Sequence, residues 1–147
     1  EEATSDAEGP EMGIVFDTDV IIDIERGSSF ITELIKGRKK EPFGISVVTA
    51  AELIHGVKRA DTEERRIKRH AFVERIISLF PVYPVDLAIA RLYAGLWASC
   101  EKKKMTIGAH DLIIAATAVS LGATIITSNL KDFSRIEGVS VEKFPKR

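Results

Sequence analysis

The sequence predicts an α/β fold: three layers (α/β/α) with a central, mainly parallel sheet of about five strands covered by helices on both faces. Three observations carry it. Short unbroken apolar runs, Ile14-Val15-Phe16 and Ala123 to Thr127, read as strands buried on both faces, since a strand with one wet face would alternate. Segments with helical spacing separate the strands, the pattern of a sheet built by crossover connections. Both runs stop abruptly at polar residues, Asp17-Thr18-Asp19 and Ser128-Asn129. The carboxyl ends of the strands are where open α/β sheets keep their sites.

Residues 1–12 (EEATSDAEGPEM) are acidic, contain Gly9-Pro10 and show no apolar period. They read as a disordered tail or a non-native remnant, with one domain over residues 13–147. After the first strand, Asp17 and Thr18 are residue types that cap helices. They are also polar groups delivered to a strand end, where isolated carboxylates titrate upward unless a cation or hydrogen bonds compensate them. Apolar residues at 20, 21, 22 and 24 predict a short helix over Thr18 to Glu25 that ends at Gly27. Ser28-Ser29 can cap a further helix carrying Phe30, Ile31, Leu34 and Ile35, closed by Gly37 and a basic loop to Pro42.

Phe43 to Ser46 is a second strand. The helix behind it, over residues 47–56, places one acid, Glu52, among apolar neighbours. A glutamate in that setting either makes a structural hydrogen bond or faces the same cleft as Asp17. Asp61 to Glu64 suit the start of a helix running to Leu79, with an apolar stripe at Ile67, Ala71, Val73, Ile76, Ile77 and Phe80. Pro81 and Pro84 bracket a short edge strand around Tyr83 and Val85. Asp86 then caps a long helix in which Tyr93 and Trp97 read as core. These two long helices are expected to form an antiparallel pair or a dimer surface.

His110-Asp111 opens an Ala-rich helix that ends at Gly122, and an acid in a first turn favours the helix dipole. The strand from Ala123 to Thr127 releases Ser128-Asn129-Leu130-Lys131-Asp132, repeating the pattern at Asp17. Gly138 to Phe144 is a last strand.

Composition narrows the function. Hydrophobic residues make up 45% of 147 and there are 5 prolines, an ordinary globular balance. No apolar run approaches the roughly 20 residues of a membrane span, and no signal-peptide pattern opens the chain. A single cysteine, Cys100, excludes an internal disulfide and a thiolate zinc cluster, so a reducing, cytoplasmic setting is expected. Net charge is −1, but five acids fall in the first eleven residues, which leaves the remainder at +4. The bases cluster at residues 36–40, at Lys58 to His70 and at Lys102-Lys103-Lys104. Singly these are solvated faces; beside an acid site they can hold a phosphate backbone.

FDTDVIID at 16–23, TAAELIHG at 49–56, HDLIIAATAVSLGATIITSNLKDF at 110–133 and Ile136-Glu137-Gly138-Val139 together resemble a PIN-domain ribonuclease, and within that family the VapC-type toxins of toxin–antitoxin pairs. The resemblance implies a PIN-like, Rossmann-like fold over residues 13–144. It implies a metal-dependent endoribonuclease, a cognate antitoxin and a homodimer. It matches Asp17, Glu52 and Asp111 to the family's acidic cluster, with Asp17 and Asp111 as principal ligands of Mg²⁺ or Mn²⁺. Glu52 would ligate a second ion or orient the attacking water. At the fourth position, where the family often has aspartate, this chain has Asn129, which can orient water but supplies no charge; Asp132 stands ready to compensate. Thr18, Asp19 and Thr127 are supporting residues. Phosphodiester hydrolysis needs a nucleophilic water and neutralised phosphoryl oxygens, and a carboxylate-held hard cation supplies both. His110 reads as a capping or loop histidine rather than a base.

Two other readings compete. Asp17-Thr18-Asp19-Val20 is also similar to the first motif of haloacid-dehalogenase phosphotransferases, with Asp17 as nucleophile, but that leaves Glu52 and Asp111 without roles. A non-catalytic scaffold that binds RNA or a protein is the third, supported by Asn129.

Overall fold

The computed structural model describes residues 13–27 and 41–144. The acidic tail, the helix expected after Ser28-Ser29 and the first basic cluster lie outside the described residues. Five strands form one all-parallel sheet: β1 (Ile14–Phe16), β2 (Phe43–Ser46), β3 (Val82–Tyr83), β4 (Thr124–Thr127) and β5 (Ser140–Lys143), in the order β3-β2-β1-β4-β5. The chain steps outward from β1 through β2 to β3, then crosses back to β4 on the other side of β1. The order therefore reverses between β1 and β4, the crevice in which open α/β sheets bind ligands. Both strands that flank it end in the polar residues singled out above.

Six helices lie among the described residues: α1 (Thr18–Glu25), α2 (Val47–Lys58), α3 (Glu63–Leu79), α4 (Leu87–Lys102), α5 (Ala109–Leu121) and the short α6 (Leu130–Phe133). Side chains alternate across a strand. Ile14, Phe16 and Ile126 accordingly enter one buried cluster with Val20, Ile21, Leu53, Val73 and Ile76, whereas Val15 and Ile125 enter another with Cys100, Ile114, Ala115 and Phe133. The first cluster is roofed by α1, α2 and α3, the second by α4, α5 and α6, which makes the three layers. Small residues on α5 (Ala115, Ala116, Thr117, Ala118) are fully buried and bring that helix close to the sheet. Gly122 then ends it with φ +64°, a left-handed conformation that glycine takes without cost.

The helix starts follow local chemistry. Ser46, Thr62 and Asp86 cap α2, α3 and α4, accepting bonds from the amides of Val48 (3.1 Å), Arg65 (3.1 Å) and Ile89 (2.9 Å). Glycine also decides one strand contact. A Cβ on Gly44 would stand 2.5 Å from the Pro81 carbonyl oxygen and 2.7 Å from Tyr83, so only glycine lets β2 and the edge strand approach this closely.

Four expectations are corrected. The two long helices are not an antiparallel pair: α3 packs chiefly on α2 and α4 on α5, because the proline-bracketed edge strand carries the chain from one face of the sheet to the other. Ile67 is 54% exposed, since α3 is seated on the core through Val73 and Ile76 in its C-terminal half. Trp97 is 51% exposed and stacks on Tyr93 with ring centroids 5.7 Å apart. The buried line of α4 runs through Ile89 and Cys100, three turns apart, and Trp97 falls off it. Strand β3 also stops at Tyr83, leaving Val85 outside it.

Candidate active site

Asp17 is both things its position suggested. It caps α1, with Oδ1 accepting from the Thr18 amide at 2.8 Å, and it projects from the end of β1 into the crevice. Its backbone amide continues the β1–β4 ladder by donating to the Ile126 carbonyl at 2.9 Å. Across that ladder the buried Thr127 hydroxyl donates to Asp17 Oδ2 at 2.8 Å and accepts from the Asn129 amide at 2.9 Å. Thr127 thus fixes the carboxylate and the turn that carries Asn129.

Two residues on, in the first turn of α1, Asp19 accepts at Oδ2 from both the hydroxyl and the amide of Ser128, while its buried Oδ1 has no partner. Glu52 on α2 is held by both oxygens: Oε1 accepts from the Thr18 hydroxyl, and Oε2 lies 2.9 Å from His110 Nδ1. Thr18 and Thr49 have their hydroxyl oxygens 3.1 Å apart; as Thr18 has one proton and gives it to Glu52, the buried Thr49 hydroxyl supplies the donor between them. Asp111, in the first turn of α5, and Asn129 line the same cleft as Asp17, Asp19 and Glu52. Asp132 turns toward Arg135, 3.5 Å away, but stands near enough to act on Asp111 by charge.

The acids repel one another. Asp17 is 7% exposed, and its carboxyl is pushed up to about 7, first by burial and then by the charge of Asp19, against the bonds from Thr127 and Thr18. Asp111 is also raised, by burial and then by Glu52, Asp132 and Asp19, with His110 opposing. Among the described residues no three of the acids, histidines and cysteines already converge as a metal-ligating group. The donor chemistry nevertheless fits a hard divalent cation. The donors are oxygens, the carboxyls resist ionising together, and one buried carboxylate oxygen has no partner.

The cleft is ≈ 1020 Å³ and has a second character on its far wall, where Arg26, His55, Arg59, Arg65 and Arg69 line it. Arg69 is steadied by a 3.0 Å bond to the Gly56 carbonyl. Arg65 is held by Asp61 at 2.9 and 3.0 Å, and the paired guanidinium keeps the Asp61 carboxyl below its usual range. The cleft thus joins acids from the strand ends to bases from the end of α2 and the first turns of α3, with Glu25 and Asp61 also in its lining.

The structure brings together Asp17, Thr18, Asp19, Glu52, Asp111 and Asn129 in the cleft with Thr127 buried beneath, and leaves Asp132 at the edge. It corrects the reading of His110. Gly108 is the N-cap of α5 and makes no side-chain cap bond, while the imidazole reaches Glu52 across 58 positions. Linear spacing held no signal for that bond, nor for the one between Asp19 and Ser128.

Comparison with known proteins agrees with this fold. Residues 14–139 match the model of the PIN domain family. Ribonuclease VapC1 of Rickettsia felis is 38% identical over 133 residues, covering 88% of this chain and 95% of the relative. The tRNA(fMet)-specific endonuclease VapC of Salmonella typhimurium is 35% identical over 98 residues, 67% of this chain and 72% of that one. Among solved structures, a member of the VapBC family of toxin-antitoxin systems, VapBC-5 from Mycobacterium tuberculosis, superposes with a TM-score of 0.71 at 32% identity, covering 93% of this chain and all of the other. With a parallel sheet reversing at β1, an acid cluster in the reversal crevice and sequence likeness along nearly its whole length, the chain belongs to the PIN-domain family, among the VapC ribonucleases.

Proposed function

We propose that the chain is a metal-dependent endoribonuclease that serves as the toxin of a toxin–antitoxin pair. One observation carries the reading: Asp17 at the end of β1, Glu52 in the second turn of α2 and Asp111 in the first turn of α5 line one cleft. A packed fold places mutually repelling carboxylates together only where something compensates them.

Asp17 and Asp111 would hold Mg²⁺ or Mn²⁺, with Glu52 completing the set or orienting the attacking water; the ion, when bound, lowers the pKa of a water and neutralises the phosphoryl oxygens. Thr127 and Thr18 fix the Asp17 carboxylate so that it need not reorganise during the reaction. Asn129 offers the amide that orients water or phosphate, and Asp19 lends its unpartnered oxygen. The RNA backbone lies along the arginine wall, where Arg59 and Arg69 neutralise phosphates flanking the scissile one. Phosphate contacts of this kind position a strand without specifying its sequence.

VapBC toxin-antitoxin proteins among the structural neighbours support an antitoxin partner for this chain too, and the family resemblance implies a homodimer. No helix among the described residues is long and apolar enough to cross a membrane. The phosphotransferase reading finds no support, since no strand after β4 in the described residues ends in paired acids.

The test is cleavage of structured and single-stranded RNAs with Mg²⁺, Mn²⁺ or EDTA, alongside Asp17→Asn and Asp111→Asn. Metal-dependent cutting lost in both folded variants is the expected result. Absence of cutting by folded, antitoxin-free protein with every metal would move the assignment to a binding scaffold.

A further inference from the structure

We infer that His110 is a positioning residue that locks the Glu52 carboxylate into its working orientation. The inference rests on the nuclease reading above and deepens it.

Glu52 is the one acid of the site carried by α2, whereas Asp17 and Asp19 belong to the start of α1 and Asp111 to the start of α5. Two bonds tie it to those helices. Thr18, the first residue of α1, donates to Oε1, and His110, the second residue of α5, meets Oε2 at 2.9 Å. A glutamate has three side-chain torsions; a bond on each oxygen, from helices on opposite faces of the sheet, leaves it one orientation between Asp17 and Asp111. The lone pairs not used in these bonds remain for water or metal.

The tautomer follows from the acceptor. An ionised carboxylate only accepts, so Nδ1 must carry the hydrogen. The ring is 58% exposed on the solvent side and makes no cap bond to its own helix. Nothing in α5 requires a histidine here, and the bond to Glu52 is what the side chain does. Partners that orient a metal-site carboxylate or imidazole typically change activity or metal affinity about 10- to 100-fold when removed.

The experiment is a double-mutant cycle between His110→Ala and Glu52→Gln, with His110→Asn and His110→Gln as rescue variants. Expected for His110→Ala is a fall in kcat of at least about tenfold with little change in KM. RNA binding in EDTA should be unchanged. His110→Asn, whose amide nitrogen sits near the place of Nδ1, should restore most of the rate, and His110→Gln, which mimics Nε2, should not. In the Glu52→Gln background the histidine should no longer matter. Calorimetric Mn²⁺ titration should show the same coupling without any turnover, and the ring ¹⁵N spectrum of the wild-type protein should show a protonated Nδ1 that is lost in Glu52→Gln.

An equal loss from His110→Ala in both backgrounds, weakened RNA binding in EDTA, or an unprotonated Nδ1 would overturn the inference. A wild-type protein that cuts no RNA would remove the nuclease reading alone, because the ¹⁵N signature still reports on the pair. The same spectrum decides the matter if an alanine variant fails to fold.

Discussion

The Thr127 hydroxyl donates to Asp17 Oδ2 at 2.8 Å, joining the ends of two adjacent parallel strands across 110 positions of sequence. The same oxygen accepts from the Asn129 amide at 2.9 Å, so one buried hydroxyl sets both the first acid and the amide at the fourth position of the site.

Thr127→Val should therefore harm both stability and catalysis. It strands the Asn129 amide and removes a donor from Asp17, at a cost of about 1–3 kcal/mol for the buried group left unsatisfied. Thr127→Ser should recover most of it. Urea denaturation read beside the cleavage rate checks this, and a fully active Thr127→Val would refute the role.

The Asp17 carboxyl makes stability depend on pH in a definite direction. Its folded value of about 7 lies above the ordinary 3.8, so the folded state holds the proton more tightly. Protonation then favours the fold, a contribution fully present below pH 3.8 and lost as pH rises through 7. In metal-free protein, Asp17→Asn should melt above wild type at pH 8, and the gap should close as pH falls toward 4. Mg²⁺ added at pH 8 should raise the wild-type midpoint and leave Asp17→Asn nearly unmoved. Melting curves with and without EDTA read both effects.

The backbone amide of Asn129 is held by Thr127, but its side chain lines the cleft and makes no cap bond on α6, so the side-chain amide is free for the site. Asn129→Asp adds a fourth carboxylate. The Mn²⁺ concentration for half-maximal cleavage should fall by about tenfold, equivalent to roughly 1.4 kcal/mol. An unchanged metal requirement would place residue 129 outside the metal's reach.

The arginine wall predicts a salt effect. In an Asp17→Asn background, expected to bind RNA without cutting it, Arg59→Gln and Arg69→Gln should each weaken binding to every single-stranded RNA alike. Each should also reduce the slope of log affinity against log salt by about 0.7. Filter binding from low to high KCl measures it. A loss confined to one sequence would point to base contacts instead.

Gly44→Ala tests the sheet edge. Its Cβ would meet the Pro81 carbonyl at 2.5 Å, so β2 and β3 must part. The expected cost is about 1–3 kcal/mol in urea unfolding, with cleavage per folded molecule little changed because the edge is remote from the cleft.

Most of the architecture could be read along the chain because its signals are local. Apolar runs marked β1 and β4, and Asp17, Thr62 and Asp86 announced the helix starts that they cap. The short α6 after Asn129 leaves no mark in the sequence, since four residues are too few to show a period. Trp97 was misread because its apolar character says that it prefers burial, while its angle about α4 decides whether it is buried. Of the two arrangements open to the long helices, the antiparallel pair fails for a related reason: neighbours in sequence need not share a face of the sheet.

For the site, a carboxylate at the end of an apolar strand marked Asp17, whereas Glu52 and Asp111 were each open to a structural role on residue type and position alone, and the resemblance to the PIN family nominated them together with Asn129. Which of them touch was settled by folding alone. The bonds of His110 to Glu52, Ser128 to Asp19 and Thr127 to Asp17 span 58, 109 and 110 positions. The elevated carboxyl of Asp17 likewise arises from burial and from charges brought in by distant segments. Periodicity and capping are short-range properties that the chain carries in its order, whereas hydrogen-bond partnership and electrostatic coupling depend on distance through space, which exists only once the sheet has closed.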